Sequence, residues 1–244
     1  MADKAAFLFD KLHMPEQVAF ARALSKRWKA VVRKYLIDEN TMLAAGNCQT
    51  SQAMAIYYNI FEPAERKAAF EQLINLIEEQ EYHLDVGVLG GRVLFHVLTE
   101  FGYSDLAFSM ITRPDYPSYG NWIARGATTL WEVFQPEGSD RIGSLNQHFW
   151  GDISSWFTQA LSGIRMAPHG EPNEVDFRPS FISRLTHAEA FHIAPAGRIA
   201  SAWERDEDDV IVLTVKLPST MHGVIRLESG YVFEDDLAYN SRIT

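Results

Sequence analysis

The sequence predicts a mainly α-helical protein with a β domain at its C-terminal end. Apolar residues recur with a period near 3.6 through residues 16–37, which is typical of an amphipathic helix. A stretch rich in proline and glycine, residues 167–173, then interrupts the chain without periodicity. Beyond it, the β-branched run at residues 210–217 is typical of a strand. We therefore expect a helical domain at 1–167 and a β domain at 168–244.

Composition supports a globular protein and narrows its partners. The chain has 244 residues, of which 47% are hydrophobic, enough for one sizeable helical domain and a small one. A formal net charge of −10 argues against a surface that follows nucleic-acid phosphates. The single cysteine, Cys48, excludes an intrachain disulfide and is expected to pack as a small hydrophobe. No signal peptide or membrane-spanning run is visible, so a cytoplasmic location is expected.

Helices of two kinds are predicted in the first third of the chain. Residues 3–12 form a short amphipathic helix, and Pro15 suits the first turn of the next one, at 16–37. Residues 49–61 are apolar nearly all round, which predicts a buried helix, while Pro63 precedes an amphipathic one. Inner and outer helices are therefore expected to alternate. The basic residues of the second helix are predicted to form a solvated face: Lys26, Arg27, Lys29, Arg33 and Lys34.

A glycine-rich stretch at residues 82–92 superficially suggests a phosphate cradle. It lacks both the Walker lysine and the dinucleotide spacing, so a loop at the rim of a pocket is the preferred interpretation. Asp85 and Arg92 within it could face a sugar or pair with each other, and the residues do not decide between these alternatives.

Further helices are predicted at 93–101, 106–112 and 149–161. His96 lies on an apolar face of the first and is expected to be a core or interhelix histidine. The pair Ser104-Asp105 is predicted to cap the helix at 106–112. The helix at 149–161 is expected to be the last of the helical domain.

The C-terminal part predicts strands and no metal site. The acidic run 204–209 lacks the spacing of a calcium loop and is predicted to be a solvated hairpin turn. His187, His192 and His222 match no usual zinc spacing, so no metal or other cofactor is expected. Residues 237–244 are predicted to be a frayed tail. The predicted strands are 181–185, 188–193, 197–204, 210–217 and 223–227.

An aromatic stretch at residues 116–148 predicts the walls of a pocket. Glu132 lies among many aromatic residues, and partial desolvation there would raise its pKa and make it a plausible proton acceptor. Flat rings beside polar side chains are also how proteins hold sugars. The alternative is a surface glutamate next to core aromatics. The aromatic residues concerned are Tyr116, Tyr119, Trp122, Trp131 and Phe134.

The chain also resembles a known family through Gly-Asn-Cys-Gln-Thr-Ser (46–51), Val-Gly-Val-Leu-Gly-Gly-Arg (86–92), Asp-Tyr-Pro-Ser-Tyr-Gly (115–120), Gly-Ala-Thr-Thr-Leu-Trp-Glu (126–132) and Ser-Leu-Asn-Gln-His-Phe-Trp-Gly-Asp-Ile (144–153). In this order the motifs resemble the bacterial α-L-rhamnosidases of glycoside hydrolase family 78. The resemblance implies part of an (α/α)6 toroid of six hairpins with a central pocket, followed by a small antiparallel β-sandwich.

The same resemblance implies a chemistry for the pocket. Family members cleave terminal α-L-rhamnose with inversion, and the glutamate of the Thr-Thr-x-Trp-Glu motif, here Glu132, is the general base. The expected partner is a small glycoside or oligosaccharide, with no nucleic acid and no membrane. The residues expected to bind this substrate are Trp131, Trp122, Tyr116, Tyr119, Asn146, Gln147, His148, Asp85 and Arg92.

Two departures from the family pattern leave alternatives open. The acidic motif that carries the general acid in the family has no counterpart here, and Gln147 stands where the family usually has histidine. A catalytically incomplete carbohydrate-binding remnant is therefore the alternative, with a homodimer or a missing N-terminal segment completing the toroid. A polysaccharide lyase using Tyr116 or His148 as base is a weaker third possibility.

Overall fold

A computed structural model describes residues 1–139, 143–167 and 170–233. The chain divides into two compact units, Met1–Val86 and Gly87–Thr244. The domain boundary predicted at residue 167 stays a prediction.

The first unit consists of helices and one very short hairpin. The elements are α1 (Ala2–Lys11), α2 (Pro15–Leu36), β1 (Ile37–Asp38), β2 (Leu43–Ala44), α3 (Gln49–Tyr57) and α4 (Arg66–Glu79). Pro15 occupies the first turn of α2, as predicted, because its missing N–H is not needed there. Helix α3 is buried along most of its length but ends at Tyr57, earlier than expected. Cys48 lies just before it as a free thiol.

Helix α2 departs in part from the predicted assignment of its two sides. Trp28, expected to face inward, is 59% exposed. Arg33, expected to be solvated, instead donates to both carboxylate oxygens of Glu65 at 2.7 and 2.9 Å. Lys29 likewise pairs with Glu62 at 2.9 Å. The solvated basic face was therefore wrong for these two cations, because acidic side chains from the segment before α4 meet that side of the helix.

The second unit begins with short helices. They are α5 (Val88–Gly91), α6 (Leu94–Glu100), α7 (Ser104–Thr112), α8 (Tyr119–Ala124) and α9 (Asp152–Trp156), with a 3-10 turn at His148–Trp150 and a π-helical turn at Phe157–Leu161. Helix α5 lies within the glycine-rich stretch that was predicted as a loop. The helix predicted at 149–161 is thus three consecutive segments, each with its own helical geometry.

The predicted cap of α7 was wrong. The Ser104 hydroxyl donates to the hydroxyl of Ser180 at 2.9 Å, and an oxygen of Asp105 accepts from the main chain and hydroxyl of Ser183 at 2.9 and 2.7 Å. Both side chains therefore bind a segment about 78 residues further along the chain, which offers them more partners than the helix terminus does.

Two three-stranded sheets complete the second unit. One contains β3 (Ile164–Met166), β4 (Glu174–Phe177) and β8 (His222–Ile225), and the other contains β5 (His187–Ala194), β6 (Gly197–Arg205) and β7 (Ile211–Lys216). All pairings are antiparallel except that of β4 with β8. Side chains from both sheets meet in one apolar core, formed by Ile164, Val175, Phe177, Ala194, Ile199 and Met221.

Several predictions for this part are decided by the structure. The acidic run forms the turn between β6 and β7, where Asp206 accepts the main-chain N–H groups of Asp208 and Val210 at 2.9 Å, as predicted. Residues 181–185 do not form the predicted strand, because Phe181 is buried edge-on against Trp203 rather than paired with a neighbouring strand.

The proline- and glycine-rich stretch connects the paired strands β3 and β4. Pro168 and His169 in that stretch, and the predicted frayed tail at 237–244, lie outside the described residues.

Within the described part of the chain, no helix combines the length and apolar character needed to cross a membrane. The same residues contain no cluster of three or more histidine, cysteine or acidic side chains suited to a metal ion.

Candidate active site

Two of the motifs that carry the family resemblance are joined by hydrogen bonds in the second unit. The N–H of Glu132 donates to the carbonyl of Ser144, and the N–H of Gln147 donates to the carbonyl of Leu130, both at 2.8 Å. The Thr129 hydroxyl also donates to the carbonyl of Leu145 in the other segment. Residues 129–132 and 144–147 therefore run antiparallel and form one structural unit, which we call the Glu132 ladder.

The carboxylate of Glu132 is oriented by this ladder. Its Oε2 accepts the main-chain N–H of Ser144 at 2.8 Å. The Ser144 hydroxyl in turn donates to the carbonyl of Asn146 at 3.1 Å and accepts its N–H at 3.2 Å, which fixes the local turn. Glu132 is exposed, so the predicted desolvation of its carboxylate is not found in the described part of the chain. The neighbouring rings pack mainly on one another instead of covering it.

Those rings form a buried cluster. Trp122 is 2% exposed and stacks on Phe134 at a centroid distance of 4.4 Å, while Tyr119 is 7% exposed and meets Trp150 edge-on at 6.0 Å. Burial raises the pKa of the Tyr119 phenol, with the nearby Asp152 carboxylate adding to the effect. Both rings are used for packing, and direct substrate contact by Trp122 and Tyr119 stays a prediction.

The other predicted aromatic residues lie further out. Tyr116 is exposed, and Trp131 is half-buried beneath the guanidinium of Arg125, which lies 5.2 Å from the ring centroid. His148 is exposed and packs against the ring of Phe149 at 4.6 Å. These accessible rings are the ones able to offer a face to a ligand. Substrate contact by Tyr116, Trp131 and His148 stays a prediction.

Gln147 has a local role at the end of the Glu132 ladder. Its Oε1 accepts the main-chain N–H of His148 at 2.9 Å and so caps the 3-10 turn that follows. The side chain thus links the Glu132 ladder to the next segment. Whether it or the exposed Asn146 binds a sugar stays a prediction.

Asp85 and Arg92 belong to different units. Asp85 is exposed at the end of the first unit, where its main-chain N–H donates to Oε1 of the buried Gln49 at 3.1 Å. Arg92 is exposed directly after α5 in the second unit. Neither of the two alternatives raised for them is tested by these contacts.

Sequence reasoning missed the residues beneath the ladder. Trp150 donates from Nε1 to the carbonyl of Glu132 at 2.9 Å, and a Cβ added to Gly91 would lie 2.6 Å from Cζ3 of that indole. His96 lies 3.1 Å from a carboxylate oxygen of Asp152, as expected for an interhelix histidine. Burial lowers the pKa of His96 even though Asp152 raises it. The available signals were the glycine pair at 90–91 and the Trp-Gly-Asp sequence at 150–152.

Helical hairpins followed by two three-stranded sheets match the architecture of a six-hairpin glycosidase scaffold with a C-terminal β domain. Residues 1–161 match the bacterial alpha-L-rhamnosidase 6 hairpin glycosidase domain, and residues 173–230 match the bacterial alpha-L-rhamnosidase C-terminal domain. The chain belongs to the bacterial α-L-rhamnosidase family.

Curated relatives agree with this assignment. An alpha-L-rhamnosidase of Streptomyces avermitilis is 31% identical over 179 residues, covering 71% of this chain and 17% of the relative. An alpha-L-rhamnosidase of Formosa agariphila is 32% identical over 178 residues, covering 70% of this chain and 19% of the relative. The chain therefore spans at most 20% of the length of the curated relatives it matches.

Solved structures confirm the predicted fold. The Streptomyces avermitilis alpha-L-rhamnosidase complexed with L-rhamnose superposes with a TM-score of 0.84 at 27% identity, covering 92% of this chain and 22% of that one. The alpha-L-rhamnosidase from Dictyoglumus thermophilum superposes with a TM-score of 0.83 at 24% identity, covering 94% of this chain and 26% of that one. This second similarity bears on the fold alone. The chain thus has the six-hairpin glycosidase architecture, in part, followed by the C-terminal β domain.

Proposed function

We propose that this chain supplies the general-base side of an inverting α-L-rhamnosidase site. Glu132 would remove a proton from the water molecule that attacks the anomeric carbon of a terminal α-L-rhamnose. The general acid is not assigned, because no sequence motif of this chain matches it.

The observation that carries the proposal is the way Glu132 is held. One carboxylate oxygen, Oε2, is fixed by the N–H of Ser144 at 2.8 Å, while the side chain remains exposed. Among the described residues, Oε1 accepts no hydrogen bond, so it is the oxygen able to accept a proton from water. A general base needs this combination of fixed orientation and access.

The surroundings favour a neutral sugar as substrate. Tyr116 and Trp131 present accessible aromatic surface, and Asn146 and His148 are exposed polar groups close to Glu132 in the sequence. Pyranose rings pack their C–H faces on such rings and bond their hydroxyls to such groups. In an inverting site the partner carboxyl group would stand about 6.5 to 9.5 Å from Glu132 to leave room for water.

The test is hydrolysis of p-nitrophenyl α-L-rhamnoside by the purified chain, by Glu132→Gln and by Glu137→Gln. Glu137 is a matched control, since it is exposed and its substitution removes the same charge five residues further along. We expect nitrophenol release from the wild type and Glu137→Gln, with a loss of at least about 100-fold in Glu132→Gln.

Equal activity in both variants would overturn the role of Glu132. No release from any of the three, with L-rhamnose still bound in calorimetry, would support the alternative of a carbohydrate-binding remnant. A cytoplasmic location and a homodimer stay predictions of the sequence.

A further inference from the structure

We infer that Trp150 is a positioning residue for Glu132 and acts through the main-chain carbonyl of the glutamate. The catalytic part of this inference rests on the proposed function. The geometric part can be tested separately.

A hydrogen bond joins the buried Trp150 to the exposed Glu132. Trp150 is 4% exposed, and its indole Nε1 donates to the Glu132 carbonyl at 2.9 Å. Within residues 1–139, 143–167 and 170–233, the other hydrogen bonds of Glu132 go to Ser144, which is itself exposed. The indole therefore connects the Glu132 ladder to the buried aromatic cluster, whose position is fixed by close packing.

The indole of Trp150 is confined by the groups packed against it. A Cβ on Gly91 would lie 2.6 Å from Cζ3 and 3.0 Å from Cε3, so the main chain of α5 touches one part of the ring. Phe134, two residues beyond Glu132, lies 4.6 Å away between ring centroids. Since these contacts confine the indole, its N–H points in a fixed direction.

The corner formed by Trp150, Gly151 and Asp152 is held by hydrogen bonds. The N–H of Gly151 donates to the carbonyl of His148 at 2.9 Å, and Asp152 is bound by His96 of α6 at 3.1 Å. Contacts from α5 on Trp150 and from α6 on Asp152 thus fix this corner at both ends. Trp150, at its start, donates the indole N–H to the carbonyl of Glu132.

The expected consequence is kinetic. A general base must lie within hydrogen-bond reach of its water molecule, and a misplacement of about 1 Å can cost about 100-fold in rate. Removal of the indole N–H with retention of an aromatic ring should therefore lower kcat by about 10-fold or more. KM should change less than about two-fold, because the ring surfaces offered to a sugar remain in place.

The experiment compares Trp150→Phe with Trp203→Phe in the full chain. Trp203 is an apt control, as it is fully buried and its Nε1 also donates to a main-chain carbonyl, that of Leu161, at 2.7 Å. Two readouts are recorded for each variant. One is the kcat and KM for p-nitrophenyl α-L-rhamnoside, and the other is the ¹H–¹⁵N signal of the Ser144 amide as pH is varied.

The Ser144 amide reports on the position of Glu132 whether or not the chain is active, because it donates to the carboxylate. We expect its pH-dependent shift to be present in the wild type and in Trp203→Phe, absent in Glu132→Gln, and reduced by at least half in Trp150→Phe.

An unchanged Ser144 response in Trp150→Phe would overturn the inference. So would an equal fall in kcat in both tryptophan variants. An inactive wild type whose Ser144 response is reduced in Trp150→Phe, kept in Trp203→Phe and absent in Glu132→Gln would count against the proposed function and leave the positioning geometry supported.

Discussion

Glu132 and Ser144 are joined by two hydrogen bonds: the N–H of Glu132 donates to the carbonyl of Ser144, and the N–H of Ser144 donates to the Glu132 carboxylate, both at 2.8 Å. A third hydrogen bond, from the indole of Trp150, reaches the carbonyl of Glu132 at 2.9 Å. The same residue pair thus sets both the path of the main chain and the direction of the carboxylate. Charge-assisted bonds from a main-chain N–H to a carboxylate are stronger than neutral ones, so this orientation is well determined.

The Thr129 hydroxyl provides a first test of the ladder. It donates to the Leu145 carbonyl, across the two segments. Replacing it by valine keeps the shape and removes the bond, which is worth about 1 kcal/mol. We expect Thr129→Val to lower kcat for the rhamnoside by about five-fold, since the ladder that holds Glu132 becomes looser.

The adjacent Thr128 is the control for this change, because it is exposed and has no hydrogen bond among the described residues. Thr128→Val should leave kcat within about two-fold of the wild type. Equal losses in both variants would show that the hydroxyl of Thr129 does not act through the ladder.

Gly91 provides a second test, by stability. An added methyl group would lie 2.6 Å from the Trp150 ring, so Gly91→Ala forces either the helix or the indole to move. Overpacking of this kind costs about 1 to 3 kcal/mol. We expect the free energy of unfolding, measured by urea titration, to fall by that amount.

Gly87, at the start of the same helix, is the matched control. It has a negative φ of −87°, and nothing lies within 4 Å of an added Cβ. Gly87→Ala should change the free energy of unfolding by less than about 1 kcal/mol. If the two alanine variants were equally stable, the close approach of Gly91 to Trp150 would be disproved.

These contacts show where prediction from sequence stops. The family motifs identify the stretches around Glu132 and Ser144, because residue types and spacing are enough for that. They do not reveal that the N–H of Ser144 faces the carboxylate, since main-chain direction depends on how distant segments pair. Gly91 is a similar case: glycine alone suggests a loop, and only its contact with Trp150 explains it.

Side-chain burial was predicted least well. The strands that became β5 to β7 were predicted from sequence, the last of them from its β-branched residues. Periodicity, however, does not say which side of α2 meets the rest of its unit, and Trp28 is exposed where burial was expected. For the same reason, the sequence could not separate the buried Trp122 from the half-buried Trp131. Both belong to one aromatic cluster, and only the packed structure decides which ring lies outside.

A pH effect on stability should follow from His96. Burial lowers its pKa below the ordinary value of 6.5, although Asp152 opposes this and Arg165 adds to it. Below pH 6.5 the unfolded chain therefore binds a proton that the folded chain resists, so the free energy of unfolding falls as pH is lowered through this range. His96→Gln, which can still bond to Asp152, should reduce that slope.

His187→Gln is the control for this experiment, because His187 is an exposed residue of β5. Urea unfolding between pH 7 and pH 5 should give the wild-type slope for this variant and a smaller one for His96→Gln. If the free energy of unfolding changed equally with pH in all three proteins, His96 would not be the source of the pH effect.

Asp176 of β4, the strand that pairs with β8, provides the last test. It is buried, and its Oδ2 accepts from Nε of Arg178 at 3.0 Å and from Nε of Arg226 at 2.9 Å. Asp176→Asn removes the charge that both guanidinium groups share. Because the two arginine side chains are 39% and 45% exposed, water compensates in part, and we expect a loss of about 1 to 3 kcal/mol in the free energy of unfolding.

Asp208→Asn removes an equal charge from the exposed turn between β6 and β7 and should be nearly neutral, within about 0.5 kcal/mol. The comparison is made by urea titration at neutral pH in low salt and again in about 0.5 M salt, where exposed charges are largely screened. The effect of Asp176→Asn should persist in salt, since its acceptor oxygen is buried. A loss that disappears in salt would mean that the two arginines are held by surface attraction alone, and β8 would then not depend on Asp176 for its place beside β4.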